Sequence, residues 1–400
     1  MRDVLGSGTI LGYCTNVHAG ATYQQTLANL ETYAAKVRGL VSPGAPMGVG
    51  LWLAAAAARE VLERQRIPEL RDWLGSRGLL PFTLNGFPYG DFHQPVVKFR
   101  VYQPDWSDER RLEYTIDLVD ILACLLPEGG EGSISTLPVG WGTDFRNSPR
   151  KVRAAGEHLR AISGHMARVA AETGRLIHLN LEPEPGCYLT TSEDLVAFYE
   201  EHVLTPDAES AIRRHLRVCH DVCHAVVMFE GQAAVLERYQ RAGIAIGKVQ
   251  LSSAIRVPFG RLEEGQRPAC IEQLRSFAED RYLHQTAIQP AASPSGPLTF
   301  VEDLPRALEM AERDPGLYGE WRVHFHVPLF LERFGLLETT QQEVLDCLAA
   351  LRRFSDVRHF EVETYAWGVL PRELQVDDLA TGIADEMRWA RQQAATTPLA

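Results

Sequence analysis

The sequence has 400 residues, of which 45% are hydrophobic and 23% charged, a composition typical of folded globular proteins that excludes a disordered or fibrous chain. Its 52 acidic and 40 basic residues give a formal net charge of −12, which argues against a broad basic surface for nucleic acid. No secretory signal pattern opens the sequence, and the longest apolar stretch, residues 47–58, is too short to cross a bilayer. The seven cysteines are scattered, so we expect reduced thiols in a cytoplasmic protein.

Short apolar runs alternate with longer amphipathic stretches along the whole chain. The runs, each bounded by Gly, Pro or polar residues, are 10–15, 48–53, 81–85, 132–137, 176–182, 217–221, 247–252, 322–328 and 360–365. Helical periodicity is clearest over 23–38, 108–126 and 148–173. Repeated strand-then-helix units predict an α/β fold with a parallel sheet, and we expect a (β/α)8 TIM barrel as a single domain over residues 1–400. A doubly wound open sheet is the alternative, but no glycine-rich nucleotide motif follows any run.

Nine runs are one more than the barrel needs. The region 256–320 is rich in Pro, Gly and Ser and interrupts the alternation, so we expect an insertion on the loop face there, with either 282–288 or 322–328 outside the barrel. Long insertions on this face commonly act as lids over the active site. A contact arm between subunits is the alternative.

Polar residues end nearly every predicted strand, where a parallel barrel gathers its active-site groups. These residues are Asn85, Thr136, Glu182, Glu184, Asp221, His224, Gln250, His324, His326, Glu361 and Glu363. Each could by itself be a helix cap or a hydrogen-bonded core residue. Several carboxylates buried together, however, are very costly unless a cation neutralises them. Oxygen and imidazole donors suit one divalent ion, Mn²⁺, Mg²⁺ or Zn²⁺.

The alternation of side chains along a strand selects which residues face inward. Glu182 shares a face with Asn180, and Glu363 lies nearer the end of its strand than Glu361. The predicted metal ligands are Glu182, Asp221, Gln250, Glu363, His324 and His326. Polar and aromatic groups on the loop face are predicted to bind substrate: Asn85, Thr136, Trp141, Tyr365 and Trp367. Rim packing is the alternative for the aromatic residues. The best candidates for an anion contact are Lys98, Arg100 and Arg256, with surface ion pairs as the alternative.

The order of these residues resembles the xylose isomerase-like superfamily, which has Glu after one strand, Asp-x-x-His after the next and Glu after the last. More specifically, the segments GYCTNVH, FTLNGFPYGDFH, ISTLPVGW, LNLEPEPGC, VCHDVCH, VQLSSA, VHFHVPLF and VETYAW resemble EboE-type metabolite traffic proteins over nearly the whole chain. The resemblance implies a TIM barrel with a divalent metal held by Glu182, Asp221 and Glu363. Gln250 stands where the superfamily usually has His, which implies weaker binding and less preference for zinc. His324 and His326 are similar to a pair that binds extra metal in endonuclease IV, whereas Asn85 and Thr136 replace further His ligands of those nucleases.

The resemblance implies an isomerase or epimerase of a sugar, sugar phosphate or cyclitol that acts in metabolite biosynthesis or export, with partners among proteins of the same pathway. Glu182 and Glu363 would then move a proton at the substrate carbon, with His224 orienting a substrate oxygen or Glu182. Two other classes stay open: a carrier barrel that binds a metabolite without turnover, and a metal-dependent phosphoesterase, which would need two or more metals.

Overall fold

The computed structural model describes residues 8–293, 296–354 and 356–396. Their strands are β1 (Ile10–Tyr13), β2 (Met47–Trp52), β3 (Leu79–Asn85), β4 (Glu131–Thr136), β5 (Leu176–Leu181), β6 (Leu216–Asp221), β7 (Ile246–Leu251), β8 (Ser253–Pro258), β9 (Thr286–Gln289), β10 (Thr299–Val301), β11 (Glu320–Val327), β12 (Arg333–Phe334), β13 (Leu337–Thr339) and β14 (His359–Val362). Two sheets account for all of them.

Eight parallel strands form a nearly closed barrel, in the order β1, β14, β7, β6, β5, β4, β3, β2. The two edge strands of this sheet meet at a parallel bridge between Cys14 and Gly50. The predicted (β/α)8 fold is therefore confirmed. Eight of the nine predicted apolar runs fall on barrel strands, and the ninth, 322–328, falls on β11 of the second sheet.

Most of the described helices surround the barrel and bury their apolar faces against it, whereas the two within residues 267–313 pack with the second sheet. They are α1 (Tyr23–Asn29), α2 (Ala35–Val41), α3 (Ala55–Glu63), α4 (Ile67–Ser76), α5 (Glu109–Leu125), α6 (Gly142–Arg146), α7 (Pro149–Thr173), α8 (Ser192–Phe198), α9 (Glu209–His215), α10 (Val222–Val227), α11 (Gln232–Arg241), α12 (Arg267–Arg275), α13 (Leu304–Arg313), α14 (Gln341–Leu351) and α15 (Leu379–Thr396). A π-helical turn, Leu30–Ala34, joins α1 to α2. Among the described helices, none has both the length and the apolar character needed to cross a membrane.

The second sheet grows directly out of the barrel. Only one residue, Ser252, separates β7 from β8, and the antiparallel order is β10, β9, β11, β8, β13, β12. This sheet and its helices occupy the chain from Ser253 to Thr339, so the region 256–320 lies inside a longer excursion from the barrel. Segment 282–288 overlaps β9, so both candidate runs lie outside the barrel rather than one of them. The core strands of a covered antiparallel sheet are as apolar as parallel ones, and periodicity does not separate the two.

The barrel interior contains a buried ion pair, and a glycine on another barrel strand leaves space for it. Glu361 on β14 points at Gly50 on β2, where a Cβ atom would lie 1.3 Å from Glu361 Oε1. Glu361 Oε2 lies 2.5 Å from Lys248 Nζ, and both side chains are fully buried. The absence of a side chain at Gly50 thus allows an ion pair below the mouth of the barrel.

Candidate metal and substrate site

Four predicted ligands converge at the carboxyl ends of neighbouring barrel strands. Glu182 follows β5, Asp221 ends β6, Gln250 lies on β7 and Glu363 follows β14. All four side chains are buried. One carboxylate oxygen from each of Glu182, Asp221 and Glu363 lies within 4.8 Å of the others. These oxygens are close enough to share a single ion.

The bonds that hold these residues leave oxygens without donors. Asp221 caps α10, because its Oδ1 accepts from the backbone N–H of His224 at 3.0 Å, and it also accepts from Ser252 Oγ at 2.7 Å. Gln250 Nε2 donates to Glu182 Oε1 at 2.8 Å. Glu182 Oε2, Asp221 Oδ2 and Gln250 Oε1 are buried and have no hydrogen-bond partner among the described residues. Because buried polar atoms are rarely left unpaired, these three oxygens fit a divalent cation.

Glu363 is held by two side-chain amides. Asn16 Nδ2 donates to Glu363 Oε1 at 2.8 Å, and Asn85 Nδ2 donates to the same oxygen at 3.1 Å. Asn85, which we predicted to bind substrate, thus lies in the site and also orients a predicted ligand. Asn16 was not among the predicted residues. Its signal was its place just after the first strand, in TNV, but neither carboxylate nor imidazole marked it.

Burial makes the carboxylates of this site resist ionisation. It raises the pKa of Glu182, with the charge of Asp221 adding to the effect, and raises the pKa of Glu363, with the charge of Glu182 adding. Burial opposes ionisation of Asp221 too, but nearby His224 and His326 hold the pKa of Asp221 below its usual value. The buried cation of Lys248 lies below the site and is paired with Glu361. Because Lys248 is already paired, ionisation of all three ligand carboxylates requires another cation close to them.

Three imidazoles form a second group of possible ligands beside the carboxylates. His224 Nε2 lies 3.2 Å from His324 Nε2, which lies 3.2 Å from His326 Nε2. The other ring nitrogen of each faces an acceptor: the carbonyl oxygen of Pro183 at 3.0 Å for His224, the side-chain oxygen of Gln285 at 2.8 Å for His324, and the carbonyl oxygen of Glu363 at 2.7 Å for His326.

These acceptors fix the tautomers of the three rings. An oxygen acceptor requires the proton on Nδ1, so in the neutral rings each Nε2 presents a lone pair to the others. Protonation is disfavoured, because burial lowers the pKa of His224 to about 4 and also lowers the pKa values of His324 and His326. Nitrogen ligands on a tetrahedral zinc ion lie about 3.4 Å apart. These rings lie close enough to share a cation in pairs, each pair with one carboxylate: His224 and His324 with Glu184, and His224 and His326 with Asp221. We refer to His224, His324 and His326 as the histidine cluster.

Glu184 joins the histidine cluster to the carboxylates. One oxygen of Glu184 lies within 4.8 Å of ring nitrogens of both His224 and His324, and Asp221 lies equally close to His224 and His326. Glu184 accepts from Tyr102 Oη at 2.7 Å and Gln285 Nε2 at 3.0 Å. Burial raises the pKa of Glu184 to about 7. The sequence placed Glu184 in the loop above Glu182. Its proximity to His324 depends on the inserted strand β11, whereas His224 lies on α10.

A cavity of about 530 Å³, its open mouth included, lies above these groups. Its polar lining consists of Asn16, Asn85, Glu182, Glu184, His224, His324, His326 and Glu363, with Lys98 at the wall. The rest of its described lining is apolar or aromatic: Phe87, Pro88, Phe92, Val97, Val101, Tyr102, Tyr282, Leu283 and Tyr365. A polar floor with an apolar wall is the usual form of a small-molecule site.

Three residues predicted to bind substrate lie away from this cavity. Thr136 is fully buried and accepts a hydrogen bond from the indole of Trp106 at 3.1 Å. Trp141 packs on Tyr102, with ring centroids 5.1 Å apart, and lines a separate outer cleft. Trp367 donates to Glu386 at 3.0 Å. All three lie at or after the ends of barrel strands, as the sequence indicated. However, other residues of the protein hydrogen-bond to Thr136 and Trp367 and pack on the ring of Trp141.

No protein-family model and no curated protein matches the sequence. The fold is similar to that of a xylose isomerase-like TIM barrel protein from Mycobacterium smegmatis in complex with magnesium, with a TM-score of 0.53 and 13% identity over 100% of both chains. Two further similar structures are the 3-keto-D-glucoside 4-epimerase of E. coli (TM-score 0.45, 15% identity, 96% of this chain and 99% of that one) and an IOLI protein with a bound zinc atom (TM-score 0.48, 10% identity, 97% and 98%). At 13% identity, the likeness to the first of these structures establishes the fold alone.

Proposed function

We propose that this protein is a metal-dependent isomerase or epimerase of hydroxycarbonyl compounds. The observation that carries the proposal is a set of three buried oxygens, on Glu182, Asp221 and Gln250, that have no hydrogen-bond partner in the described part of the chain. Together with Glu363 they form an oxygen-rich ligand group, and two of its members, Glu182 and Glu363, line the cavity. The EboE-type role in metabolite biosynthesis or export, in the cytoplasm, is part of this proposal and rests on the motif resemblance.

The ion would be held by Glu182, Asp221, Gln250 and Glu363, and when bound it polarises a substrate carbonyl. Glu182 and Glu363 project from β5 and β14, which two strands separate in the barrel. This arrangement suits removal of a proton from one side of a substrate carbon and its return from the other. Burial raises the pKa of both carboxyl groups, which favours their taking up and giving back a proton.

Isotope exchange tests the proposal. The protein is incubated with Mn²⁺ in D₂O with a panel of hydroxyketones, ketoses, their phosphates and keto-cyclitols, and deuterium at carbon is measured by mass spectrometry. We expect label in at least one compound, and none with Glu363→Gln. A panel that binds without any exchange would contradict the proposal and favour the carrier barrel.

A second candidate, metal-dependent phosphoester hydrolysis, is favoured by the histidine cluster. His224 and His324 lie close enough to one oxygen of Glu184 to hold a cation in addition to the one at the carboxylates, and paired metals support in-line displacement at phosphorus. Elemental analysis separates the two functions. Two equivalents of zinc, falling to one in His324→Ala, together with hydrolysis of bis(p-nitrophenyl) phosphate, would support the phosphoesterase. A single equivalent without hydrolysis supports the isomerase.

A further inference from the structure

The wall of the cavity differs sharply from its floor. Above the carboxylates and histidines, the described lining includes Phe87, Phe92, Val97, Val101, Leu283 and Tyr365. Side chains of this kind attract carbon surface and cannot solvate charge. The part of a ligand that lies farthest from the metal ligands therefore meets an apolar surface.

The described lining of the cavity offers no unpaired Lys or Arg side chain to a phosphate. Lys98 is the single Lys or Arg among its described lining residues, and Lys98 Nζ lies 2.5 Å from Asp303 Oδ2. Arg256, another candidate anion contact, pairs with Glu320 at 2.8 Å outside the cavity. A phosphate carried on the distal end of a substrate would thus lose water without gaining a counter-charge.

Two of the three tyrosines that line the cavity have protein partners for their hydroxyls. Tyr102 Oη donates to Glu184, and Tyr282 Oη donates to the carbonyl oxygen of Phe92 at 3.2 Å. The rings of Phe92, Tyr282 and Tyr365 form a cluster with centroids 4.9 to 5.3 Å apart. Tyr365 also packs on His326, with ring centroids 4.7 Å apart. This aromatic cluster thus begins at the metal-binding floor and continues up the wall.

We propose that the substrate combines a hydroxycarbonyl head with an apolar, preferably aromatic or alkyl, body rather than a phosphate or a long polyol. This inference rests on the proposed function for the head group. It goes beyond that function in assigning the remainder of the substrate to the wall around Phe92. The ring cluster and the paired state of Lys98 both favour it.

Three compounds with the same head group test the proposal: dihydroxyacetone, dihydroxyacetone phosphate and 2-hydroxyacetophenone. Each is titrated calorimetrically into the Mn²⁺-saturated full-length protein. We expect 2-hydroxyacetophenone to bind about tenfold more tightly than dihydroxyacetone phosphate, since only its ring can bury apolar area against the wall. Phe92→Ala should lower the affinity for 2-hydroxyacetophenone about fivefold and leave that for dihydroxyacetone unchanged, and Phe92→Leu should restore most of the loss.

Phe99→Ala is the matched control, because Phe99 is 43% exposed and does not line the cavity. It should change none of the three affinities. Equal or tighter binding of dihydroxyacetone phosphate, or no binding of any of the three, would overturn the proposal. If hydroxyketones exchange protons but 2-hydroxyacetophenone does not bind more tightly than the other two compounds, the proposed apolar body is wrong and the proposed isomerase activity is retained. If 2-hydroxyacetophenone binds most tightly but no compound exchanges a proton at carbon, the proposed apolar body of the substrate is retained and the isomerase activity is rejected.

Discussion

Gln250 Nε2 donates to Glu182 Oε1 over 2.8 Å, and no described residue donates to Glu182 Oε2 or to Gln250 Oε1. One amide thus orients a carboxylate and offers a neutral oxygen beside it. A neutral ligand at this position adds no further negative charge to a site that already contains three carboxylates. The hydrogen bond between the two side chains contributes to the stability of the metal-free protein, and their other oxygen atoms are available to a cation.

Removal of the Gln250 amide should lower both the stability of the metal-free protein and its affinity for a cation. Gln250→Ala leaves Glu182 Oε1 buried without its donor and opens a small cavity, so we expect the free energy of unfolding of the metal-free protein to fall by about 2–4 kcal/mol. Chemical denaturation measures this change. Gln24→Ala, at an exposed helix position, is the control and should stay within about 0.5 kcal/mol of the wild type. Equal stability of Gln250→Ala and Gln24→Ala would contradict the described pairing.

The buried pair of Lys248 and Glu361 predicts a large and rescuable effect. Lys248→Met leaves Glu361 as an uncompensated buried carboxylate, so we expect a loss of about 3–5 kcal/mol in the free energy of unfolding. Glu361→Gln in the same protein removes that charge and should recover most of the loss. A double-mutant cycle in denaturant measures the coupling. Simple additivity of the two substitutions would argue against the ion pair.

The metal-free protein should gain stability when a ligand carboxylate is neutralised, and the gain should depend on pH. The pKa of Glu182 is raised by burial, so its ionisation costs folding stability as pH rises above about 4.5, the value in the unfolded chain. Glu182→Gln should therefore stabilise the metal-free protein by about 1–3 kcal/mol at pH 8 and by less at pH 5. In saturating Mn²⁺ the same substitution should destabilise it. Thermal unfolding at the two pH values measures both effects, and a gain that does not change with pH would contradict the assigned cause.

The sequence predicted the barrel well because buried parallel strands are short apolar runs with sharp boundaries. It predicted which residues meet at the carboxyl ends of β5, β6, β7 and β14, since the alternation of side chains along a strand is regular. The second sheet was not predicted, because the strand β11 has the same apolar character as a barrel strand. That sheet decides how His324 and His326 reach His224, and no local pattern encodes the contact.

The sequence also did not indicate which side chains form hydrogen bonds with each other in the folded protein. Thr136 and Trp367 follow barrel strands as predicted, but Trp106 and Glu386 bind them. Those partners lie 30 and 19 residues away in the chain, so pairing of this kind depends on the folded structure. Asn16 reaches Glu363 across 347 residues, and a lone asparagine gives no signal of such a contact in one sequence.

Metal occupancy tests the central claim most directly. The purified protein is stripped with chelator, reloaded with Mn²⁺, desalted and analysed by elemental spectroscopy beside three variants. We predict that Glu182→Gln and Asp221→Asn each lose most of the bound metal. Glu386→Gln should keep it, because Glu386 is an equally buried carboxylate that Thr364 and Trp367 bind outside the site. Full metal content in both Glu182→Gln and Asp221→Asn would contradict a metal centre at these strand ends.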